Sequence, residues 1–194
     1  LAGLYHEAIQ QVTSAFGPLR QLHAAAPTNV ATARLLAHLL NHAADFHQRT
    51  GDLATSERLA EEALTIGQEL ADSAVQAFAY HVLVNVALTR NDIPAMQRLA
   101  EAGCTQARLA QRPALLSECL NDLGITLIFQ QQLLAAMACF EEALHTLAGA
   151  TNHYLEAYIL TNLGQLQLYN KEYELARRYL QRATLLNQTL LNHR

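Results

Sequence analysis

The chain is predicted to be all-α, an α-solenoid of antiparallel helical hairpins, on three grounds: its composition, an internal period of forty residues, and small residues at fixed places within that period. Of 194 residues 51% are hydrophobic and only 6% aromatic, with no Trp, 4 Pro and 8 Gly. A chain rich in Ala, Leu and Gln and poor in breakers favours helix throughout. A formal net charge of −4 without a basic cluster gives no footprint for nucleic acid, whose binding rests on neutralising phosphates. No apolar run nears the roughly 18 residues of a membrane span. Cys104, Cys119 and Cys139 show no CxxC spacing and fall within apolar helical runs, which suits small buried hydrophobes in a reducing compartment. Together these features describe a soluble, cytoplasmic chain with neither a membrane nor a nucleic-acid partner. It opens on Leu1 without a signal-peptide pattern and reads as part of a longer polypeptide.

The period emerges when the chain is slid against itself. Gly164 aligns with Gly124, Val84 and Ala44, each forty residues apart. Ala176 falls on Ala136, Met96 and Ser56, and Ala183 on Ala143, Gly103 and Ala63. The breaks at residues 171–173, 131–133, 91–93 and 51–53 share the same spacing. A glycine inside a helix weakens it by up to about 1 kcal/mol, so small residues kept in one column imply that another helix approaches closely there. Agreement of several columns at one period marks a repeat architecture.

The elements follow in chain order. Residues 1–35 form an N-terminal helical segment, the remnant of a preceding repeat, with Gly17 and Pro18 expected to break it. Pro27 and Thr28 are expected to cap the long first helix of copy one. Four copies then occupy residues 37–76, 77–116, 117–156 and 157–194, each two helices joined by a tight corner. In the second copy Asp92 is a plausible N-cap and Pro94 sits in the first turn, where a missing N–H costs nothing. In the third, Pro113 opens a helix that ends near Phe129, and a second helix runs from Leu133 to about Leu147. Gly67 lies outside the small columns, so Gly67→Ala is expected to be neutral or stabilising. The final helix carries Ala176, Leu180 and Ala183 toward its own hairpin. It carries a second stripe, Leu175, Tyr179, Leu186 and Leu190, with nothing downstream to cover it, so the expectation is either a further repeat after Arg194 or self-association through this C-terminal helix.

The stretches "DLGITLIFQQQLLAAMACFEEA" and "NLGQLQLYNKEYELARRYLQRA" resemble the tetratricopeptide repeat, with Leu-Gly on the first helix, a tight corner, and Ala, aromatic and Ala along the second. Copies one and two depart from the pattern, having Ala44 and Val84 for Gly, and Ala60 and Ala100 for a large residue. The period near forty is longer than the family's usual thirty-four and resembles the sensor arms of STAND-class signalling ATPases and transcription regulators. The resemblance implies a right-handed superhelix whose first helices line a concave face. By column that face presents Asn41, Asp45 and Arg49 from copy one, and Phe78, His81 and Asn85 from copy two. Copy three adds Asn121, Ile125 and Phe129, and copy four Tyr158, Gln165 and Tyr169. One column, Asn41, His81, Asn121 and Thr161, forms a file of hydrogen-bonding groups suited to an extended peptide, with the aromatic residues as apolar anchors. Arg49 is the only cation in these columns, so the family's basic clamp for a C-terminal carboxylate is missing.

The expected function is therefore a non-enzymatic module binding a protein or peptide. The alternative in the same frame is a small-ligand sensor arm of a larger signalling ATPase or transcription regulator. Motifs for catalysis are absent: no glycine-rich phosphate loop, no GxSxG, and the pairs Glu61–Glu62 and Glu141–Glu142 fit a solvated helix face. The remaining catalytic alternative is a metal-dependent enzyme using His38, His42 and Asp45, which share a helix face. HExxH is lacking, and the repeat register places His42 toward the hairpin partner, so no metal and no cofactor is expected.

Overall fold

A left-handed backbone residue closes helix after helix at twenty-residue intervals. The computed structural model describes residues 2–26, 28–148 and 152–192, with side chains for 7–26, 28–148 and 152–190; Pro27 lies outside the described residues. Among them the structure is wholly helical: α1 (Ala2–Ala25), α2 (Val30–Thr50), α3 (Leu53–Glu69), α4 (Ser73–Thr89), α5 (Ile93–Ala110), α6 (Pro113–Phe129), α7 (Leu133–Leu147), α8 (His153–Tyr169) and α9 (Tyr173–Asn192). Gly51, Ala71, Asn91, Gln111, Gln131 and Lys171 all have φ between +50° and +87°. At residues 51, 71, 91, 131 and 171 the left-handed N–H donates three residues back, and the following N–H five back, at 2.8–3.1 Å. This double bond satisfies carbonyls that a helix end otherwise leaves orphaned. The residue after each corner starts the next helix: Asp52, Asp72 and Asp92 accept from the backbone N–H groups of Thr55, Val75 and Ala95 at 3.1–3.2 Å. Where these corners are described, the forty-residue period is two helices and the corners between them.

The chain forms two units, residues 1–110 and 111–194. In the first, α1 packs on α2, α2 on α3, and α4 on α2, α3 and α5. Its core joins Leu36, Leu40, Leu59, Val75 and Val82. In the second, α6 pairs with α7 and α8 with α9, while α8 also lies against α6 and α7. Cys104 and Cys119 are buried and Cys139 half-buried, all as free thiols.

Every residue of the columns at 56, 96, 136 and 176 is 0% exposed, and Ala63, Ala143 and Ala183 are buried likewise. Where the first helix offers glycine the second fills the gap. A Cβ on Gly124 would stand 2.5 Å from the Phe140 ring, and one on Gly164 would stand 2.6 Å from Leu180 Cγ. Where the first helix carries Ala44 or Val84, the matching second-helix residue is Ala60 or Ala100, each buried. No pair sets large against large, so each crossing stays close-packed although residue identity changes.

Three expectations are corrected here. The helix α1 runs through Pro18 without ending at Gly17–Pro18. Proline removes one backbone bond, and burial of Phe16 with Val12 and Leu19 against the α2–α3 core offsets that loss. The cap of α2 is Asn29, whose side chain accepts from Thr32 N–H. Gly67 is not free to take a methyl group, because its Cβ would meet Val75 Cγ1 at 2.8 Å and Gln76 N at 3.3 Å. Gly67 sits near the end of α3 against the start of α4, a close approach outside the hairpin columns.

Two outcomes follow. Ala71→Gly, which removes a side chain from a left-handed position, is expected to stabilise unit one by about 0.5–1 kcal/mol, and Gly51→Ala to destabilise it by a similar amount, since no atom lies within 4 Å of the added methyl and only conformation is at stake. Denaturant unfolding of the two variants should show opposite signs. Gly124→Ala is expected to cost about 1–3 kcal/mol, and adding Phe140→Leu to restore part of it; additive losses in the double-mutant cycle would contradict the volume pairing.

Candidate functional site

The file of polar residues on the first helices is divided by the fold between stacking and surface. Asn41 is 1% exposed, and its Nδ2 donates to the Val75 carbonyl of α4 at 3.0 Å. Asn121 is 2% exposed, and its Oδ1 accepts from Asn162 Nδ2 of α8 at 2.7 Å. Both amides bind the first helix of the next repeat and present no face to a ligand. Thr161 donates to the Ala157 carbonyl within its own helix at 2.8 Å. The reason is angular: neighbouring residues on a helix point about 100° apart, so Asn41 meets α4 while the adjacent His42 stands at the surface.

In unit one the remaining predicted residues form a polar ridge on α2 and α4. Phe78 is flanked edge-on by His42 at 5.1 Å and His81 at 5.9 Å between ring centroids. His42 is exposed on α2 and stands edge-on beside Phe78 at the surface rather than toward its hairpin partner α3. The Asp45 carboxylate pairs with Arg49 one turn on at 2.9 Å, and Asn85 Nδ2 donates to the His81 carbonyl at 2.9 Å. Among the described residues no group of three or more His, Cys, Asp and Glu side chains could hold one metal ion, so His38, His42 and Asp45 do not converge.

Ion pairs bind successive repeats together on the same unit. Arg90, the C-cap of α4, makes a two-pronged bond to Glu57 of α3 at 2.7 Å per contact. That hydrogen bonding holds the Glu57 carboxyl below the usual carboxylate range against the opposing effect of burial. Asp72 is pushed up by burial, but the Arg34 guanidinium at 2.6 Å and the cap N–H groups outweigh this and keep it low.

In unit two three of the predicted residues come together at one place. Phe129, Gln165 and Tyr169 line a cleft of about 410 Å³ with Ile128, Gln131, Leu133 and Leu166, where α6 and α8 end and α7 begins. Phe129 is 43% and Tyr169 72% exposed, a large uncovered aromatic surface. Ile125 is half-buried on α6, and Tyr158 and Gln165 are exposed on α8. The volume and mixed lining suit a pocket for one or two side chains or a small ligand. Gln131 and Leu133 were not foreseen, because as corner and second-helix residues they fall outside a first-helix column.

The expected final stripe is also redistributed. Tyr179 and Leu186, with Leu144 of α7, pack against Ala157, Leu160 and Ala183. The open face of α9 is instead the one bearing Tyr173, Arg177, Leu180, Thr184 and Gln188, which with Leu168, Gln181 and Leu185 lines a groove of about 640 Å³. Ala176 and Ala183 are buried toward the hairpin as expected and Leu175 is exposed, so the difference lies in Tyr179 and Leu186.

The architecture so defined is that of an α-solenoid of tetratricopeptide-like hairpins. Residues 36–73 and residues 157–190 each match a family model described as tetratricopeptide repeat, and the first of these stretches is one whose columns depart from the pattern. Among solved structures the chain is similar to BtubC (BKLC) from P. vanneervenii, with a TM-score of 0.76 and 20% identity over 95% of this chain and 74% of that one. It is also similar to the apo form of RapI, with a TM-score of 0.68 and 13% identity over 93% of this chain and 50% of that one. The TPR-like repeats of a putative kinesin light chain from Podosopora anserina give a TM-score of 0.61 and 15% identity over 98% and 94%. No curated protein matches the sequence. At these identities the structural likeness shows the fold, and with the two matches it supports the tetratricopeptide repeat family. Repeats of this family are general protein-interaction modules. Among the described residues no helix is long and apolar enough to cross a membrane.

The stacking role of the buried amides makes a prediction that separates them from the cleft. Asn121→Ala leaves Asn162 without its partner and is expected to lower stability by about 1–3 kcal/mol, whereas Tyr169→Ala, at an exposed position, is expected to change it by less than about 0.5 kcal/mol. Thermal unfolding of both variants tests the assignment.

Proposed function

We propose that the chain is a non-enzymatic interaction module that binds a protein or peptide segment on the first-helix face, with the α6–α8 cleft as its anchor pocket. The observation that carries this reading is the exposed aromatic rim of Phe129 and Tyr169 around a cleft that also offers the Gln131 and Gln165 amides. Large aromatic side chains beside a concavity are where binding energy concentrates, and two amides give an extended backbone its hydrogen bonds. Tyr158 continues the apolar surface along α8, while in unit one Phe78 with His42 and His81 forms a second patch of the same chemistry. Asp45, Arg49 and Asn85 supply its polar border. On this reading Asn41 and Asn121 shape the surface without touching the ligand.

Displayed random peptides selected on the wild-type protein should lose binding at least about tenfold on the Phe129→Ala/Tyr169→Ala variant and keep it on Leu134→Ala, a control at an exposed position on α7. Peptides that bind the double variant unchanged would remove the cleft from the interface. The same volume would admit a small apolar ligand, the reading in which the chain is a sensor arm of a larger signalling ATPase or transcription regulator. That reading expects a fragment library to yield cleft-bound compounds while peptide selection fails.

A further inference from the structure

We propose that the α6–α8 cleft takes an uncharged, proline-containing segment from the interior of a partner chain, seated as an extended polyproline helix, an inference that rests on the cleft being the anchor pocket. The chain carries 13 Lys and Arg and 17 Asp and Glu, yet none of these, and no histidine, lines the cleft. A carboxylate or an ammonium seated there would lose water without gaining a counter-charge, which is costly. The lining therefore complements a neutral ligand and excludes both a charged anchor residue and a chain's C-terminal carboxylate. Nor is the rim open merely because of where the chain ends. Arg49 and Phe129 share the column of Tyr169, each has a further repeat stacked after it in its own unit, and both are exposed.

The form of the bound backbone follows from the donors. Among the described residues the Gln131 and Gln165 carboxamides have no hydrogen-bond partner in the protein. A helical ligand would use its backbone groups on itself and leave both amides unanswered. A β-strand needs the ladder of another strand, and the described residues form only helices. A polyproline helix has no internal hydrogen bonds, so its carbonyls are free to accept from the two amides and from the Tyr169 hydroxyl, and a proline has no N–H in need of an acceptor. Its rings pack on aromatic side chains, here Phe129 at the end of α6 and Tyr169 at the end of α8, over the Leu133 and Leu166 floor. Because this conformation exists before binding, little freedom is lost when it docks.

Fluorescence anisotropy of labelled peptides capped at both ends tests this on the full chain. An oligoproline should bind at least about tenfold more tightly than a Gly-Ser peptide of equal length, and Glu or Lys placed at its centre should remove that advantage. Gln131→Ala/Gln165→Ala should weaken the oligoproline by at least about fivefold. Gln165→Lys should restore binding of the Glu-centred peptide and not of the Lys-centred one, with helicity and melting temperature unchanged in each variant. Equal affinity for oligoproline and Gly-Ser, undiminished binding of the charged peptides, or no restoration by Gln165→Lys would overturn the proposal. The Phe129→Ala/Tyr169→Ala variant separates it from the reading it rests on. Selected peptides that lose binding on this variant, while oligoproline binds wild type no better than Gly-Ser does, would overturn the proline preference and leave the anchor pocket standing. Oligoproline that binds the variant as it binds wild type would remove the cleft from both.

Discussion

The left-handed residue at each corner is the constraint on which the rest of the structure depends. It stops a helix after a set number of turns, returns two N–H groups to the last carbonyls, and delivers the chain to the next N-cap within three residues. Because α3, α4, α6 and α8 all contain 17 residues, each is about 25 Å long. Equal lengths keep the helices in phase, so residues forty apart occupy equivalent places against their neighbours. One missed corner would rotate every following contact. Only Gly51 has the residue that adopts this conformation without cost; Ala71, Gln111, Gln131 and Lys171 adopt it under strain. The bonds and burial on either side hold them there.

Given that phase, the hairpin interior is a problem of volume. Gly124 with Phe140 and Gly164 with Leu180 are one solution, small against large. Ala44 with Ala60 and Val84 with Ala100 are another, in which both sides are small or intermediate. Viewed one column at a time the first two copies depart from the pattern. Paired across the hairpin, every copy keeps at least one small residue at the crossing, which explains how a single solenoid tolerates such different residues. The columns at 56 and 63 and their repeats are buried in every copy.

Much of this was legible in the sequence, and the failures have physical causes. The period, the corners and the buried columns come from spacing alone. Gly17–Pro18 misled because a helix break is a local preference, whereas burial of Phe16 is a tertiary one, and the tertiary term prevailed. Gly67 misled because only the hairpin crossing was sought, while the turn from α3 into α4 needs a close approach as well. The twenty-residue spacing of Asp52, Asp72 and Asp92 was available to show this second corner. The site was half legible. A forty-residue column identifies equivalent residues without saying whether they face solvent or the next helix, and Asn41 and Asn121 face the helix. Phe129, Gln165 and Tyr169 converge because the ends of α6 and α8 lie side by side, a proximity that the column alone does not give.

The same ambiguity governs where a solenoid can bind anything. Each first helix has one face that meets the following repeat and another, about a quarter turn away, that is left open; Asn41 and His42 mark the two on α2. Groups on the first face are bound by hydrogen bonds inside the fold, so their loss is felt as stability. Groups on the second make contacts at the surface, such as the Asp45–Arg49 pair and the Asn85 bond to His81. The α6–α8 cleft combines the two conditions a site needs, since its floor of Leu133 and Leu166 is fixed by packing and its rim of Phe129 and Tyr169 is not. Changes of rim residue leave the stacking columns untouched, and so the fold can keep its corners and its hairpin volumes while its surface takes on a different partner.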